Sequence, residues 1–288
     1  MSRSALALLA AAVTGVQVGA AITATRFVAE ALSPQSLAFL RYAIGVACLV
    51  PAVMLVPRIR FARADVVPIA LLGIAQFGVL IALLNYGLRT VPAGRGALIL
   101  ASFPLLTLVF AALAGHERVT TRRLLGILLT LIGVGLALGD KVSGDGSLIG
   151  ELAILAAAAT GALCSVLYRP YLKRYPTLPV SAFAMLAAAA ALLLPAALDD
   201  LLVAPAQLTA AAWAAIVFIG LSSGGGYVLW LWALKHIAAS RVTVFLALSP
   251  VTAAALGVTL LGEPVTLGMG AGVACVAAGL WVANWEAA

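Results

Sequence analysis

The stretch LALLAAAVTG at residues 6–15 is matched without a gap by LAILAAAATG at residues 152–161. The same offset pairs other residues along the chain, namely Pro104 with Pro250, Glu117 with Glu263, Arg95 with Arg241 and Gly133 with Gly279. Self-similarity at one fixed distance indicates a repeated architecture. We therefore interpret residues 1–142 and 147–288 as two copies of one structural unit.

The composition indicates an integral membrane protein. Of the 288 residues, 64% are hydrophobic and only 9% are charged, and the mean hydropathy is +1.17. A soluble domain carries roughly 25% charged residues, so this chain could not cover its apolar core in water. The net charge of +7 fits basic cytoplasmic loops. It does not indicate a nucleic-acid partner, because no basic stripe alternates with exposed aromatic residues.

The apolar segments predict an all-α protein with ten transmembrane helices. A bilayer core needs about 20 apolar residues per helix, and charges, prolines or glycines separate ten such segments. The N-terminal segment is a span and not a signal peptide, because its repeat partner lies in mid-chain. The predicted spans are residues 4–26, 34–56, 65–88, 92–115, 121–139, 148–170, 179–198, 208–234, 237–262 and 266–285.

The basic residues predict the orientation of the chain. With the N-terminus inside, only Arg26, Arg89, Arg95 and Lys141 fall in outer loops. Cytoplasmic loops collect Lys and Arg, so we expect both termini in the cytoplasm and a bacterial-type inner membrane. Five spans per copy make the two repeats enter the bilayer in opposite senses. Such inverted repeats are typical of secondary transporters that bind substrate near mid-membrane and alternate its access.

Prolines and glycines inside the spans are candidate hinges. Pro104 and Pro250, near the middle of spans 4 and 9, each remove a backbone donor and displace the carbonyl four residues earlier. The alternative for both is a fixed bend. Span 8 contains the consecutive glycines Gly224, Gly225 and Gly226, which weaken a helix. They suit a close helix approach, an unwound turn, or ordinary membrane helix packing.

Polar and aromatic side chains at similar depths are candidates to line a substrate cavity. Inside a bilayer such groups usually face the protein interior or a wet pathway. For the residues of spans 1 and 6, hydrogen bonding between helices is the alternative. The candidates are Thr14, Gln17, Gln76, Ser102, Thr160, Ser165, Tyr168, Ser222, Ser223, Tyr227 and Trp230.

Three charged residues are assigned structural roles. Arg41 is the only charge well inside a predicted span, about one and a half to two helical turns past Pro34. It is a functional candidate by default, but a long side chain at this depth can also snorkel or tie helix ends together. Glu117 and Glu263 occupy equivalent span ends, where we expect each to fasten a helix end.

Several kinds of chemistry have no motif in this sequence. No Asp, Glu or His lies in the middle of a predicted span, although proton-driven transporters usually need one. There is no G-x-x-x-x-G-K-[ST] loop for ATP, and Cys48, Cys164 and Cys275 lack metal-ligand spacing. An enzyme would need polar catalytic groups clustered at one depth. We therefore expect neither catalysis nor a bound metal or cofactor. We expect a facilitator or exchanger, which needs neither ATP nor a titrating group in the membrane.

Specific motifs in both halves resemble the EamA repeat of the drug/metabolite transporter superfamily. In the first half these are NYGLRTVPAGRGAL at 85–98, Pro104, GHE at 115–117 and AFLRY at 38–42. In the second half they are GYVLWLWALK at 226–235, SPV at 249–251 and LGEP at 261–264. The resemblance covers essentially the whole chain.

The resemblance implies a carrier of small metabolites, often an inner-membrane exporter of amino acids. It also implies a cavity lined mainly by spans 1, 3, 4, 6, 8 and 9, and both termini in the cytoplasm. The chain departs from the family at Gln17, where members often have tryptophan before a glycine, and this favours a more polar substrate. The leading hypothesis is export of amino acids or similar polar metabolites by a monomer. The alternative is a sugar-phosphate, nucleotide-sugar or drug transporter on the same fold.

Overall fold

All the regular structure in the described part of the chain is helical. The computed structural model describes residues 2–28, 31–56, 59–90, 99–100, 102–116, 120–138, 148–261 and 267–284. The α-helices are α1 Arg3–Val28, α2 Pro34–Met54, α3 Arg63–Gly73, α4 Leu80–Thr90, α5 Phe103–Leu113, α6 Thr121–Leu138, α7 Leu148–Leu167, α8 Arg169–Arg174, α9 Thr177–Leu198, α10 Ala210–His236, α11 Ala239–Val244, α12 Leu248–Leu261 and α13 Leu267–Asn284. A π-helical segment, Ile74–Val79, joins α3 to α4, and 3₁₀ turns lie at Ala204–Gln207 and Phe245–Ala247.

Among the described residues, six helical segments are long and apolar enough to cross a bilayer. They are Arg3–Thr25, Pro34–Met54, Arg63–Gly87, Leu148–Arg174, Thr177–Leu198 and Ala210–His236. Large apolar side chains on the outside of these helices, such as Leu71, Leu194 and Phe218, are exposed, as expected for surfaces that face lipid. The all-α, membrane-spanning class is thereby confirmed. The count of ten spans stays a prediction.

Local sequence signals explain where two of these helices begin. The hydroxyl of Ser33 accepts a hydrogen bond from the backbone N–H of Ser36 at the start of α2, and Pro34 occupies the first turn. The hydroxyl of Thr209 accepts from the N–H of Ala212 at the start of α10. Both arrangements satisfy N–H groups that have no partner within the helix.

Both candidate hinge prolines lie in the first turn of a described helix. Pro104 lies in the first turn of α5, and Pro250 lies in the first turn of α12, directly after the 3₁₀ turn Phe245–Ala247. Proline is tolerated in a first turn because the missing N–H has no intrahelical partner there. Each proline lies near the middle of its predicted span, shortly after a turn at Ser102 or the 3₁₀ turn Phe245–Ala247. The role of both prolines as hinges stays a prediction.

The glycine-rich segment of span 8 stays helical, and the irregular segment lies elsewhere. Helix α10 runs unbroken through Gly224, Gly225 and Gly226, so the unwound turn considered from the sequence is not present. In the first half, the π-helical segment Ile74–Val79 contains Gln76 and Phe77. A single π-helical turn inserts an extra residue into a helix and is frequently found at functional sites.

Helices of residues 1–142 pack mainly against helices of residues 147–288. Helix α1 packs on α10 and α12, α7 packs on α4 and α5, α2 and α3 pack on α9, and α6 packs on α13. Glycines make several of these approaches close. A Cβ at Gly15 would overlap the backbone of Phe245, and one at Gly73 would overlap the backbone of Ala184. The core is therefore shared between the two halves, and small residues let the backbones meet.

Candidate functional site

A stripe of three side chains on α10 faces the interior between α1 and α2. Ser223, Tyr227 and Trp230 are spaced so that they share one helix face, and all three are buried. On one flank of this stripe, Gly224 approaches the backbone of Gly45 in α2, and on the other flank Gly226 meets Gln17 of α1. We name Ser223, Tyr227 and Trp230 the α10 stripe.

An aromatic row connects the α10 stripe to three other helical segments. The rings of Tyr42 and Phe77 have centroids 4.8 Å apart, those of Phe77 and Tyr227 are 4.3 Å apart, and those of Tyr227 and Tyr168 are 6.1 Å apart. The last two pairs meet edge to face, a favourable geometry for aromatic rings. The row therefore joins α2, the π-helical segment, α10 and the end of α7. Separately, Trp230 meets Phe103 at 6.3 Å.

Two tyrosine hydroxyl groups in this row are buried without a hydrogen-bonding partner. The exposed fraction is 1% for Tyr168 and 7% for Tyr227. The two hydroxyls are close enough to interact with each other, but neither meets a protein donor or acceptor in full hydrogen-bonding geometry. The hydroxyl of Ser102, next to Phe103, is in the same situation. A buried polar group without a partner is costly and calls for an explanation. These hydroxyls can each donate to, or accept from, a polar ligand.

Arg41 contacts the α10 stripe. Its Nε donates to the hydroxyl oxygen of Ser223 at 2.5 Å, and the hydroxyl of Ser223 in turn donates to the carbonyl of Ile219 at 2.6 Å. The guanidinium carbon lies 5.6 Å from the centre of the Tyr42 ring, within the range of a cation–π interaction. Arg41, for which the sequence favours a structural role, thus lies beside the aromatic row.

Thr14 and Gln17 face α10. The hydroxyl of Thr14 donates to the carbonyl of Ala10 at 2.8 Å and lies 3.4 Å from the carbonyl of Gly226. The amide of Gln17 occupies the space beside Gly226. For Thr14 the contacts favour hydrogen bonding within and between helices over the lining of a cavity. Gln17 is half-buried next to the α10 stripe.

Several other cavity candidates predicted from the sequence have no recorded contact with the α10 stripe. Thr160 and Ser165 donate to carbonyls of their own helix, those of Ala156 and Gly161, each at 2.8 Å. Ser222 is half-buried, and a Cβ at Gly225 would meet nothing within 4 Å. Gln76 is half-buried in the π-helical segment next to Phe77. Glu117, Glu263 and the side chain of Pro250 lie outside the described residues.

Sequence reasoning missed Tyr42 and Phe77. Both lie in apolar runs in which an aromatic residue is equally compatible with a lipid-facing surface and with the core. For Tyr42 a signal was available, because it follows Arg41 directly in the AFLRY motif. For Phe77 no comparable signal exists, since its position depends on the π-helical segment.

Two carboxylates join the halves away from the aromatic row. Asp65, at the start of α3, accepts from Arg174 at 3.1 Å and from the hydroxyl of Tyr175 at 2.6 Å. Asp200, after α9, accepts from the backbone N–H of Ser33 at 2.6 Å. Burial raises the pKa of Asp200, but hydrogen bonds from Ser36 and Ser33 outweigh this and hold the pKa below its ordinary value. Both carboxylates therefore connect helix ends.

The described residues contain no group of three or more His, Cys, Asp or Glu side chains that could hold a metal ion. What the site offers is a mixed surface of aromatic rings, hydroxyl groups and one guanidinium. Most small-molecule sites are built in this way, with a largely apolar lining and a few polar groups that fix the orientation of the ligand.

Comparisons with known proteins agree with this architecture. The model of the EamA-like transporter family matches residues 5–139 and 148–285. An uncharacterized transporter of Archaeoglobus fulgidus is 27% identical over 265 residues, which cover 92% of this chain and 93% of that protein. A probable terminal-alkyne amino-acid exporter of Streptantibioticus cattleyicolor is 32% identical over 211 residues, or 71% of this chain and 69% of that protein.

A solved crystal structure is also similar along its whole length. It superposes with a TM-score of 0.83 at 25% identity and covers 98% of this chain and 99% of its own. The family resemblance noted from the motifs is therefore confirmed. The chain belongs to the EamA-like transporter family.

Proposed function

We propose that this protein exports amino acids or related small polar metabolites across the inner membrane by alternating access. The observation that carries this proposal is the pair of buried tyrosine hydroxyls, those of Tyr168 and Tyr227, which have no hydrogen bond of full geometry to the protein. Tyr227 lies in α10 and Tyr168 in the turn after α7, and their rings contact segments of both halves. A polar substrate between the halves would give these hydroxyls the hydrogen bonds that they lack.

The pattern of helix contacts supports an inverted repeat of five spans per half. Helix α1 packs on α10, and its repeat partner α7 packs on α4, which belongs to the span equivalent to α10. The pairs α2 with α9 and α6 with α13 each join equivalent spans. Such reciprocal contacts are expected of two related halves around a pseudo-two-fold axis. With the basic-residue bias, they support ten spans and cytoplasmic termini.

The charges within the described residues support a facilitator or exchanger. Among these residues, the carboxylates with buried oxygens are those of Asp65, Glu151 and Asp200, and all three lie at helix ends. A proton-coupled carrier usually uses a titrating group along the pathway. We therefore propose transport down the gradient of the substrate, without ATP and by a single chain.

The amino-acid assignment rests on a relative and on the chemistry of the site. The Streptantibioticus cattleyicolor protein is named as a probable terminal-alkyne amino-acid exporter. A sugar phosphate or nucleotide sugar would call for several basic side chains around the site, since each phosphate is best recognised by Lys or Arg. In the described part of this site, Arg41 alone is basic.

The proposal is tested by reconstitution of the purified protein in liposomes without ATP. Uptake or exchange of labelled amino acids is measured across the twenty common ones, with and without an imposed pH gradient. We expect saturable exchange of at least one of them that survives collapse of the pH gradient. Flux of a phosphorylated sugar, and none of any amino acid, would show that the substrate class is wrong.

Substitutions in the aromatic row and beside it test whether the measured exchange depends on this site. Tyr227→Ala should reduce exchange because it removes a hydroxyl and an aromatic contact from the row, and Gln17→Leu should reduce it by removing the amide beside the α10 stripe. Thr160→Ala is the matched control, since the Thr160 hydroxyl is used within its own helix. Equal rates of exchange by all three variants would mean that the substrate binds at another site.

A further inference from the structure

Arg41 has no acidic partner among the described residues. Its hydrogen bond goes to the neutral hydroxyl of Ser223, while Asp65 contacts Arg174 and Asp200 contacts Ser33. Arg41 is half-buried, and a charge partly removed from water is costly unless a counter-charge or a set of hydrogen bonds compensates it. An anionic group beside Arg41 would supply the counter-charge that the described residues do not provide.

The contact with Ser223 leaves a defined part of the guanidinium available. A guanidinium presents five N–H donors in a planar fork. Its Nε is taken by Ser223, and the hydroxyl proton of Ser223 is used by the carbonyl of Ile219. The N–H groups of the two terminal nitrogens therefore stay available to a ligand. The orientation of the guanidinium plane is fixed by the hydrogen bond from Nε to Ser223 and by the one from Ser223 to Ile219. Such a fork suits the two parallel hydrogen bonds of a carboxylate.

The groups next to the fork suit the rest of a small ligand. Ser223 and Tyr227 are four residues apart on α10, so their Cβ atoms are about 6 Å apart. The Tyr227 side chain therefore stands next to that of Ser223, and its ring contacts that of Tyr168. The hydroxyls of both tyrosines have no hydrogen bond of full geometry to the protein and are free to bond to a ligand. The ring of Tyr42, already near the guanidinium, and that of Phe77 offer apolar surface.

We propose that Arg41 binds the carboxylate of the substrate through its two terminal nitrogens, with Ser223 as the positioning residue that orients the fork. This rests on the proposed function and narrows it to substrates with one carboxylate near the aromatic row. One guanidinium balances one negative charge. A phosphate dianion would leave a charge unbalanced in the same surroundings, so monocarboxylates are favoured.

The test compares acids with their amides in reconstituted liposomes. Exchange of labelled L-leucine, L-threonine and L-phenylalanine is competed by the unlabelled acid or by leucinamide, threoninamide or phenylalaninamide. Propionate and benzoate are assayed in parallel as acids that lack the amine. For the wild-type protein we expect each acid to compete at least about tenfold better than its amide, since the amide loses a charge-assisted pair of hydrogen bonds.

The variants identify the residue responsible. Arg41→Gln should lower exchange of the acids by about tenfold or more and bring acid and amide to the same potency. Arg41→Lys keeps the charge but not the fork, so it should retain part of the preference. Ser223→Ala should raise the apparent KM by a few-fold with little change in the maximal rate. Its matched control, Ser222→Ala, alters a half-buried neighbour off the stripe and should change neither.

Each outcome decides between the two proposals. If the wild-type protein exchanges acids and amides equally well, the function stands and the role of Arg41 is wrong, even if the Arg41 variants do not fold. A folded Arg41→Gln variant that keeps the wild-type preference for acids would likewise show that Arg41 does not bind the carboxylate. If propionate or benzoate is exchanged in an Arg41-dependent way but no amino acid is, the amino-acid function is wrong and the carboxylate site stands. If neither class of acid is carried, both are wrong.

Discussion

Gln17 and Gly226 pack so closely that the side-chain amide of one occupies the space where a Cβ of the other would lie. Helix α1 thereby rests directly on the backbone of α10, on the flank of the α10 stripe. The conformation of Gln17 and the distance between the two helices depend on the absence of a side chain at a single position.

Gly226→Ala should therefore displace Gln17 or push α1 away from α10. We expect a loss of about 1–3 kcal/mol in stability, as for other overpacked positions, together with reduced amino-acid exchange. The measurements are the apparent melting temperature in detergent and exchange in liposomes. Gly225→Ala is the matched control, because a Cβ there would meet nothing within 4 Å. Equal effects of both changes would mean that helix propensity, and not this contact, is responsible.

The polar cluster at the start of α3 should depend more on Tyr175 than on Arg174. The Tyr175 hydroxyl donates to Asp65 at 2.6 Å and accepts from the N–H of Ala62 at 3.0 Å. The side chain of Arg174 is 64% exposed, whereas that of Asp65 is 9% exposed. Tyr175→Phe should cost about 1.5–3 kcal/mol, the range for a hydrogen bond to a charged group. Arg174→Gln should cost about 0–1 kcal/mol, as for an exposed ion pair.

Thermal unfolding of both variants in detergent checks this order. Salt provides a second readout, since screening weakens an exposed ion pair more than a buried hydrogen bond. The melting temperature of the wild-type protein should change little between low and high salt. A larger loss in Arg174→Gln than in Tyr175→Phe would contradict the prediction.

Asp200 should make stability depend on pH in the acid range. Its pKa is held below the ordinary value because hydrogen bonds from Ser36 and Ser33 prevail over the effect of burial. A carboxylate with a lowered pKa contributes stability above its unfolded value of about 3.9, and this is lost as the pH falls through the folded pKa. We expect a constant melting temperature from pH 7 to about 5 and a decline below about 4.

Asp200→Asn tests the assignment of that decline. The amide oxygen can still accept from the N–H of Ser33, but it carries no charge that titrates. The variant should be less stable than the wild-type protein at pH 7, and the two melting temperatures should converge at acid pH. A constant difference across the whole pH range would mean that another group titrates.

Gly279 tests the contact between α6 and α13. A Cβ at this position would overlap the hydroxyl of Thr130 and come within 2.7 Å of the carbonyl of Gly126, so Gly279→Ala should cost about 1–3 kcal/mol. A Cβ at Gly270, in the same helix, would meet nothing within 4 Å, and Gly270→Ala should be neutral or stabilising. Because this pair lies away from the aromatic row, exchange per folded molecule should stay at the wild-type level.

The helical class and several helix bounds could be predicted because long apolar runs have one common solution in a bilayer. Backbone groups in hydrocarbon must be satisfied within the helix, so runs such as Pro34–Met54 and Ala210–His236 form helices. The proline positions were visible too. That each proline lies in the first turn of a helix could not be predicted. The sequence shows which residue lacks an N–H, but it does not show at which residue the helix begins.

The site could be predicted only in part. Ser223, Tyr227 and Trp230 share a face by helical spacing alone. Phe77 joins them through the π-helical segment Ile74–Val79, and the extra residue of that segment is not indicated by the hydrophobic pattern of the sequence. The distinction between Thr14, bonded to backbone, and Tyr168, with an unpartnered hydroxyl, depends on tertiary contacts that a single sequence does not reveal.

The shared core has a consequence for biosynthesis. The main partners of α1, α2, α3 and α6 lie in residues 147–288, which leave the ribosome after residues 1–142. The helices of residues 1–142 must therefore wait among lipids, with their glycine faces uncovered, until the second half is inserted. Most of the tertiary structure described here can form only after that insertion, and a chain released before it would present those faces to membrane quality control.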